Sequence, residues 1–231
     1  MAGYREHISV SGLLGVTVGV GATYGFGFTP IQGAIAGCLT GVAGMLPDLD
    51  SASGRPVREL FGLCAVVASL IVMQNLVETR GDLEEAMFYS VFTYAAVRFG
   101  GKYLFSKLSV HRGMFHSIPA LLISAQITFL FYHGDTLRVN LLMAVGVAVG
   151  FMSHLILDEL YSVHWSGVTV KLKSSAGSAV KFFSSSLFPN FIAYSLLCAI
   201  TYATLMQLGL VEKPQQPAFL QQAISQDVLH R

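Results

Sequence analysis

The stretch HISVSGLLGVTVGVGATYGFGFTPIQGAIAGCLTGVAGMLPDLD, His7 to Asp50, decides the fold. Between its histidine and its two closing aspartates there is no Asp, Glu, Lys or Arg. Ile8–Phe28 alone is uncharged over 21 residues, and a helix needs about 20 apolar residues to cross a bilayer. Thr29-Pro30 interrupts the run, and Ile31–Leu46 resumes it. Proline is excluded from a helix interior but tolerated at a helix start, so the stretch reads as two helices. Gly15 and Gly19, Gly21 and Gly25, and Gly33, Gly37 and Gly41 repeat at four-residue spacing. That spacing lines glycines on one helix face and lets two backbones approach, which is how membrane helices pack without a hydrophobic drive. A tight hairpin is expected, although glycine is common in membrane helices for other reasons too.

The rest of the chain follows the same grammar. Its 231 residues are 53% hydrophobic and 12% charged, against about 25% charged in a soluble domain, and mean hydropathy is +0.61. Five more apolar segments follow: Leu60–Val77, Ala86–Val97, Ser117–Tyr132, Val139–Leu157 and Leu187–Val211. The fourth span of the chain, Ala86–Val97, is the weakest, with 12 uncharged residues before Arg98; Phe99–Phe105 extends it if Arg98 and Lys102 snorkel. The fold expected is an all-α polytopic transmembrane helix bundle of about seven spans. Residues 1–211 form the membrane-embedded domain, with a polar Lys/Ser-rich loop at 162–186 holding a short strand at Val168–Leu172. Residues 212–231 are a loosely ordered Gln-rich tail. Cys38, Cys64 and Cys198 lie far apart in apolar runs and read as small core-filling residues rather than disulfides or zinc ligands. Arg5 ahead of an apolar run also suits a signal peptide. The run is too long for an h-region and lacks an A-x-A site, so it reads as a retained first helix, and cleavage would remove His7.

Parity can be tested against charge. With seven spans, the side of the N-terminus carries ten of the Lys and Arg residues and the opposite side four, while acidic residues divide six and seven. The bias is specific to Lys and Arg, as the positive-inside rule requires. The N-terminus is expected in the cytoplasm and the C-terminus outside, in a multi-pass protein of the cell inner membrane. A net charge of +1 gives no pull toward nucleic acid, and none is expected as a partner. The lipid bilayer is the partner expected, and oligomeric state is left open.

Threaded this way, seven candidate ligands converge on the cytoplasmic helix ends: His7, Asp48, Asp50, His111, His116, His154 and Asp158. Such groups are costly beside a bilayer unless paired or bound to something. His154 and Asp158 stand at i and i+4 and share a helix face. Asp48 and Asp50 project from a turn fixed by Pro47, and two carboxylates so close repel unless a cation relieves them. His111 and His116 flank Arg112-Gly113. Imidazole with carboxylate suits a divalent transition metal, zinc first, with manganese or iron as alternatives. Seven ligands exceed zinc's usual four, leaving room for one or two ions. Taken singly, each motif is more often structural than ligating. His133, His164 and His230 fall elsewhere and read as bystanders, and Leu49 and Ser117 as dispensable neighbours of ligands.

With these motifs together, His7 ahead of a Gly-rich hairpin, PDLD, HRGMFHS and SHLILD, the chain resembles a family of bacterial inner-membrane metal-dependent hydrolases, some of whose members are described as LexA-binding. The resemblance covers about His7 to Tyr161 and implies those same seven residues as ligands; it supplies a reaction class and no substrate. Two other families are set aside. The chain lacks the PSGH segment of type-2 phosphatidic acid phosphatases, and Glu84-Glu85 is followed by Tyr89 where membrane CAAX proteases need Arg.

The leading reading is a membrane-bound hydrolase acting at the cytoplasmic face on a phosphoester or lipid phosphate. Asp50 or Asp158 would be the general base, and Arg112, with Arg55 and Arg58, would hold the anion. For all three arginines, a purely topological role is at least as good a reading. The alternatives are a metal-ion transporter, whose ligands belong near the bilayer midplane, and a non-catalytic membrane adaptor in which a metal staples helix ends.

Overall fold

The computed structural model describes residues 2–50, 55–101, 103, 114–165, 170–172, 180–184 and 186–212. Among them, each of the seven apolar segments forms a helix. The helices are α1 (Tyr4–Val20), α2 (Pro30–Ala43), α3 (Arg55–Arg80), α4 (Leu83–Ala95), α5 (Ile118–Phe131), α6 (Leu137–Leu160) and α7 (Leu187–Gln207). Among the described residues, four stretches are long and apolar enough to cross a membrane: Tyr4–Gly25, Arg55–Arg80, Leu137–Leu160 and Leu187–Gln207. Pro30–Ala43 and Ile118–Phe131 are shorter apolar helices.

Local chemistry starts these helices where the sequence punctuates. Thr29 and Gln32 form a reciprocal capping box across Pro30, satisfying backbone donors that a helix start leaves orphaned. Asp82, Ser117 and Thr136 cap α4, α5 and α6 through their side-chain oxygens. Two long helices outrun their apolar segments. α3 takes in Arg58, Glu59 and Glu78, and α6 takes in Asp158, because charged side chains at a helix end can reach polar surroundings without breaking the backbone ladder. The weak fourth segment is longer than its apolar core. α4 runs on through a π-helical turn, Ala96–Gly101, and the Arg98 guanidinium lies over Gly62 of α3 and near the Tyr94 ring rather than reaching outward alone.

Glycine sets the packing. A Cβ at Gly15 or Gly19 would collide with the carbonyl of Gly37 or Gly33, and the reverse holds for Gly33 and Gly37. The α1–α2 hairpin is therefore backbone on backbone. Gly21 and Gly25, by contrast, face nothing within 4 Å; they lie in the π-helical turn Gly21–Gly25 that ends the first span. On its other face α2 meets α6, where Gly146 and Gly150 admit Ala36, Thr40 and Ala43. Ala36, Val139 and Met143 form one small core and Leu121, Phe151 and Leu155 another. α5 packs on α6, and α7 packs on α5, where Thr201 Oγ1 donates to Gln126 Oε1 at 3.0 Å. α3 and α4 pair with each other.

α6 is the central helix, and the outer faces are apolar. Leu13, Tyr24, Ile31, Leu70, Phe92 and Phe188 are among many large hydrophobic side chains left exposed, as hydrocarbon surroundings require. Cys38, Cys64 and Cys198 share that outer surface. The expectation that they fill the core is corrected: a small apolar thiol costs nothing against lipid. The polar loop holds two short antiparallel strands, β1 (Val163–Trp165) and β2 (Val170–Leu172), where one strand was expected. Residues 166–169, 173–179 and 185 of that loop, and the tail from residue 213, lie outside the described residues.

Candidate metal centre

Four chain segments deliver side chains to one point. His7 is in the first turns of α1, Asp48 in the 3-10 turn Pro47–Asp50 after α2, His116 just ahead of α5, and His154 and Asp158 in the last turns of α6. His7, His116, His154 and Asp158 are buried and Asp48 is half-buried. Asp48 Oδ1 lies 3.5 Å from His116 Nε2 and 3.6 Å from His154 Nε2. Asp158 Oδ2 lies 3.8 Å from His116 Nε2 and 3.6 Å from His154 Nε2. Two imidazole nitrogens and two carboxylate oxygens therefore alternate around a small gap. Donors sharing one tetrahedral zinc, with bonds of about 2.0–2.1 Å, stand about 3.3 Å apart. The observed spacing is slightly looser than that.

The surrounding bonds fix which atoms face the gap. His154 Nδ1 lies 2.7 Å from the Gly44 carbonyl. A carbonyl can only accept, so in the neutral ring Nδ1 carries the proton and Nε2 keeps its lone pair. That Nε2 is buried and has no hydrogen-bond partner among the described residues. A buried orphan nitrogen aimed at two carboxylates fits a cation-binding role and is costly otherwise. Gly44 permits the arrangement, because a Cβ there would run into Ser11. Asp158 Oδ1, the oxygen turned away from the gap, accepts from the Ala2 amide at 2.9 Å and faces His7 Nε2 at 3.2 Å. The His7 and His154 rings stack at 3.6 Å, nearly parallel.

Burial pushes the Asp48 carboxyl up, but its hydrogen bond with His116 and the positive charge of His154, His116 and His7 outweigh that. The net effect holds it below the usual carboxylate range.

Of the seven sequence-derived candidates, five meet in this cluster. The side chain of Asp50, and all of His111 and Arg112, lie outside the described residues. Arg55 and Arg58 are exposed in the first turn of α3, and Arg58 is bonded to Glu59 at 3.0 and 3.2 Å. His133 is exposed, with Nδ1 2.9 Å from the Phe131 carbonyl at the far end of α5; His230 lies outside the described residues. Leu49 and Ser117 are not the dispensable neighbours expected. Leu49 is buried, and Ser117 is fully buried, caps α5 and donates to the Met114 carbonyl, which fixes the backbone that presents His116. Ile118 N–H bonds the Lys181 carbonyl at 3.1 Å, tying the polar loop to the same place. Neither Gly44 nor the Ala2 amide was legible as part of the site, since both act through backbone atoms.

No curated protein and no solved structure matches this chain. The model of one family, YdjM inner membrane protein, matches residues 7–172. That range begins at the first histidine of the cluster and takes in every side chain of it. Together with helices long and apolar enough to cross a bilayer, it puts the protein in the inner membrane, and the chain belongs to the YdjM inner membrane protein family.

Proposed function

We propose that this protein is a metal-dependent hydrolase holding one divalent transition ion, zinc first, between Asp48, His116, His154 and Asp158 at the cytoplasmic ends of its helices. The observation that carries the reading is the alternating quartet of His nitrogens and carboxylate oxygens at 3.5–3.8 Å. A single ion is favoured among the described residues. The two overlapping ligand triads, His7/His154/Asp158 and Asp48/His116/His154, share His154, and its Nδ1 is committed to Gly44. One free nitrogen serves one ion.

When bound, the ion supplies Lewis-acid chemistry, lowering the pKa of a water toward about 7 and polarising a substrate oxygen. The chain's own residues divide the remaining work. Asp158 has one oxygen at the quartet and the other held by Ala2 and His7, so it serves as a ligand rather than the general base. The proton then goes to Asp50, two residues past Asp48 on the same turn. His7 orients Asp158, as the outer partner of a ligand commonly does. With Arg58 engaged by Glu59, holding the substrate anion falls to Arg112. A phosphoester is the substrate class that fits a cationic site of this kind at a membrane face.

A transporter needs ligands near the bilayer midplane, whereas these sit at helix ends. Purified protein loaded with zinc or manganese should hydrolyse members of a phosphoester panel, and Asp50→Asn should lose at least 100-fold in kcat while keeping its metal. Inactivity across metals and substrates by metal-replete protein would reject hydrolysis and leave the adaptor reading.

A further inference from the structure

Behind the Asp48–His116 edge of the cluster lies a cavity of about 330 Å³. Its inner wall is built from neighbours of the candidate ligands: Leu49 follows Asp48, Met114 and Phe115 precede His116, and Phe151 stands three residues before His154. Its outer wall is one face of α7, where Phe188, Ile192 and Leu196 recur at four-residue spacing. These three are 67%, 49% and 46% exposed, so the wall they form also faces the bilayer. The lining is hydrocarbon, aromatic ring and thioether except for Ser124. The Ser124 hydroxyl is spent on the Ala120 carbonyl of its own helix at 2.9 Å. The cavity therefore offers a polar occupant nothing.

Its direction is as informative as its lining. On α5 the cavity residues Ala120, Ile123 and Ser124 come after His116, and on α6 Phe151 comes before His154. Since α5 and α6 run in opposite directions, both facts place the cavity on the same side of the cluster, toward the middle of the helices. A polar centre thus stands at one end and an apolar chamber behind it, along the direction in which α6 crosses the membrane. That is the shape of an amphiphile with its head at the helix ends and its tail in the hydrocarbon.

We propose that this cavity seats the hydrocarbon chain of an amphiphilic phosphoester, whose head group docks at the quartet and whose chain enters from the bilayer between α5 and α7. The proposal rests on the hydrolase reading for its head group and on the cavity for its tail. Water takes about 30 Å³ in the liquid and a methylene a similar volume, so the space holds on the order of ten methylenes of a single chain. Each buried methylene should raise affinity about fourfold, so kcat/KM should climb with chain length until the cavity is full. The outer wall lies beyond residues 7–172, the range that the family model matches, so chain selection is assigned to a part of the molecule outside that match.

The test uses full-length, zinc-loaded protein in phosphatidylcholine nanodiscs with two photoreactive probes, the non-hydrolysable decylphosphonate and decanol, each carrying a diazirine in the chain. Decylphosphonate should label peptides containing Ile123 or Ile192–Leu196 at least tenfold more than decanol does. Leu196→Trp on the exposed rim, and Ala193→Leu as a second, gentler filling, should cut that labelling at least fivefold with metal content unchanged. Equal labelling by the two probes, or labelling that neither variant alters, would overturn the proposal. Correct labelling without turnover of any alkyl phosphoester would sustain the chain site and reject hydrolysis. Turnover of methyl and decyl phosphoesters with equal kcat/KM would sustain hydrolysis and reject the chain site.

Discussion

His154 and His7 show how much one hydrogen bond decides at the residue scale. Both rings are buried and both approach Asp158, yet only His154 has its Nδ1 proton anchored on a carbonyl and its Nε2 left for a ligand. His7 works instead on the outer oxygen of Asp158. The two should therefore fail differently. His154→Ala should abolish stoichiometric metal, while His7→Ala should weaken affinity about 10–100-fold, the usual cost of losing an outer partner. Competition with a zinc chelator of known affinity separates the cases, and equal failure would make His7 a direct ligand. Asp48 gives a pH prediction. Its folded-state carboxyl is held below the ordinary range, so its contribution to stability is fully present above about pH 3.9, the ordinary Asp value, and is lost as pH falls through the depressed folded value. Chelator-treated protein should lose stability on acidification in that window, and Asp48→Asn should flatten the acid slope. An unchanged slope would show that Asp48 lacks these partners. Acid should release the metal well before this, because imidazole must be unprotonated to bind it.

Elements were more legible than contacts. Runs of uncharged residues marked all seven helices, since hydrocarbon forbids unpaired charge and demands internally satisfied backbone. Helix ends were misjudged where charged residues extend them, as at Arg55–Glu59 and Leu157–Leu160, because the ladder continues past the apolar core. Glycine spacing identified the α1–α2 hairpin but could not separate Gly15 and Gly19, which face backbone, from Gly21 and Gly25, which face nothing. Spacing names a helix face and leaves the partner unnamed. Two substitutions test the packing. Gly37→Leu should drive α1 from α2 and cost about 1–3 kcal/mol or more, whereas Gly21→Leu should be near neutral in the same denaturant titration. Ser117→Ala should cost about 1 kcal/mol for the lost cap and lower metal content by misplacing His116. Neutral behaviour of Gly37→Leu would contradict the hairpin.

The whole molecule imposes parity. Asp48 and His116 lie 3.5 Å apart, so the chain between them must cross the membrane an even number of times. α3 is long enough for one crossing; on the expected seven-span topology α4 would be the return. With its π-helical turn, α4 spans 19 residues, Leu83–Gly101, about 28 Å at 1.5 Å per residue and close to the hydrocarbon thickness of about 30 Å. Reporter fusions after Ser53, Ser109 and Ser175 should all report cytoplasm and one after Gln215 the outside; disagreement among the first three would break the convergence. The convergence of His7, Asp48, His116, His154 and Asp158 was legible from the expected parity, which places helix ends of alternating direction on one face. The site's geometry was not, because sequence spacing cannot tell an inner carboxylate oxygen from an outer one. The most direct test of the central claim is elemental analysis of detergent-purified protein beside its variants. One tightly held transition metal per chain is expected, lost in Asp48→Ala and His116→Ala and retained in His133→Ala and His230→Ala. No metal in the parent protein, or equal loss from all four variants, would contradict a shared site.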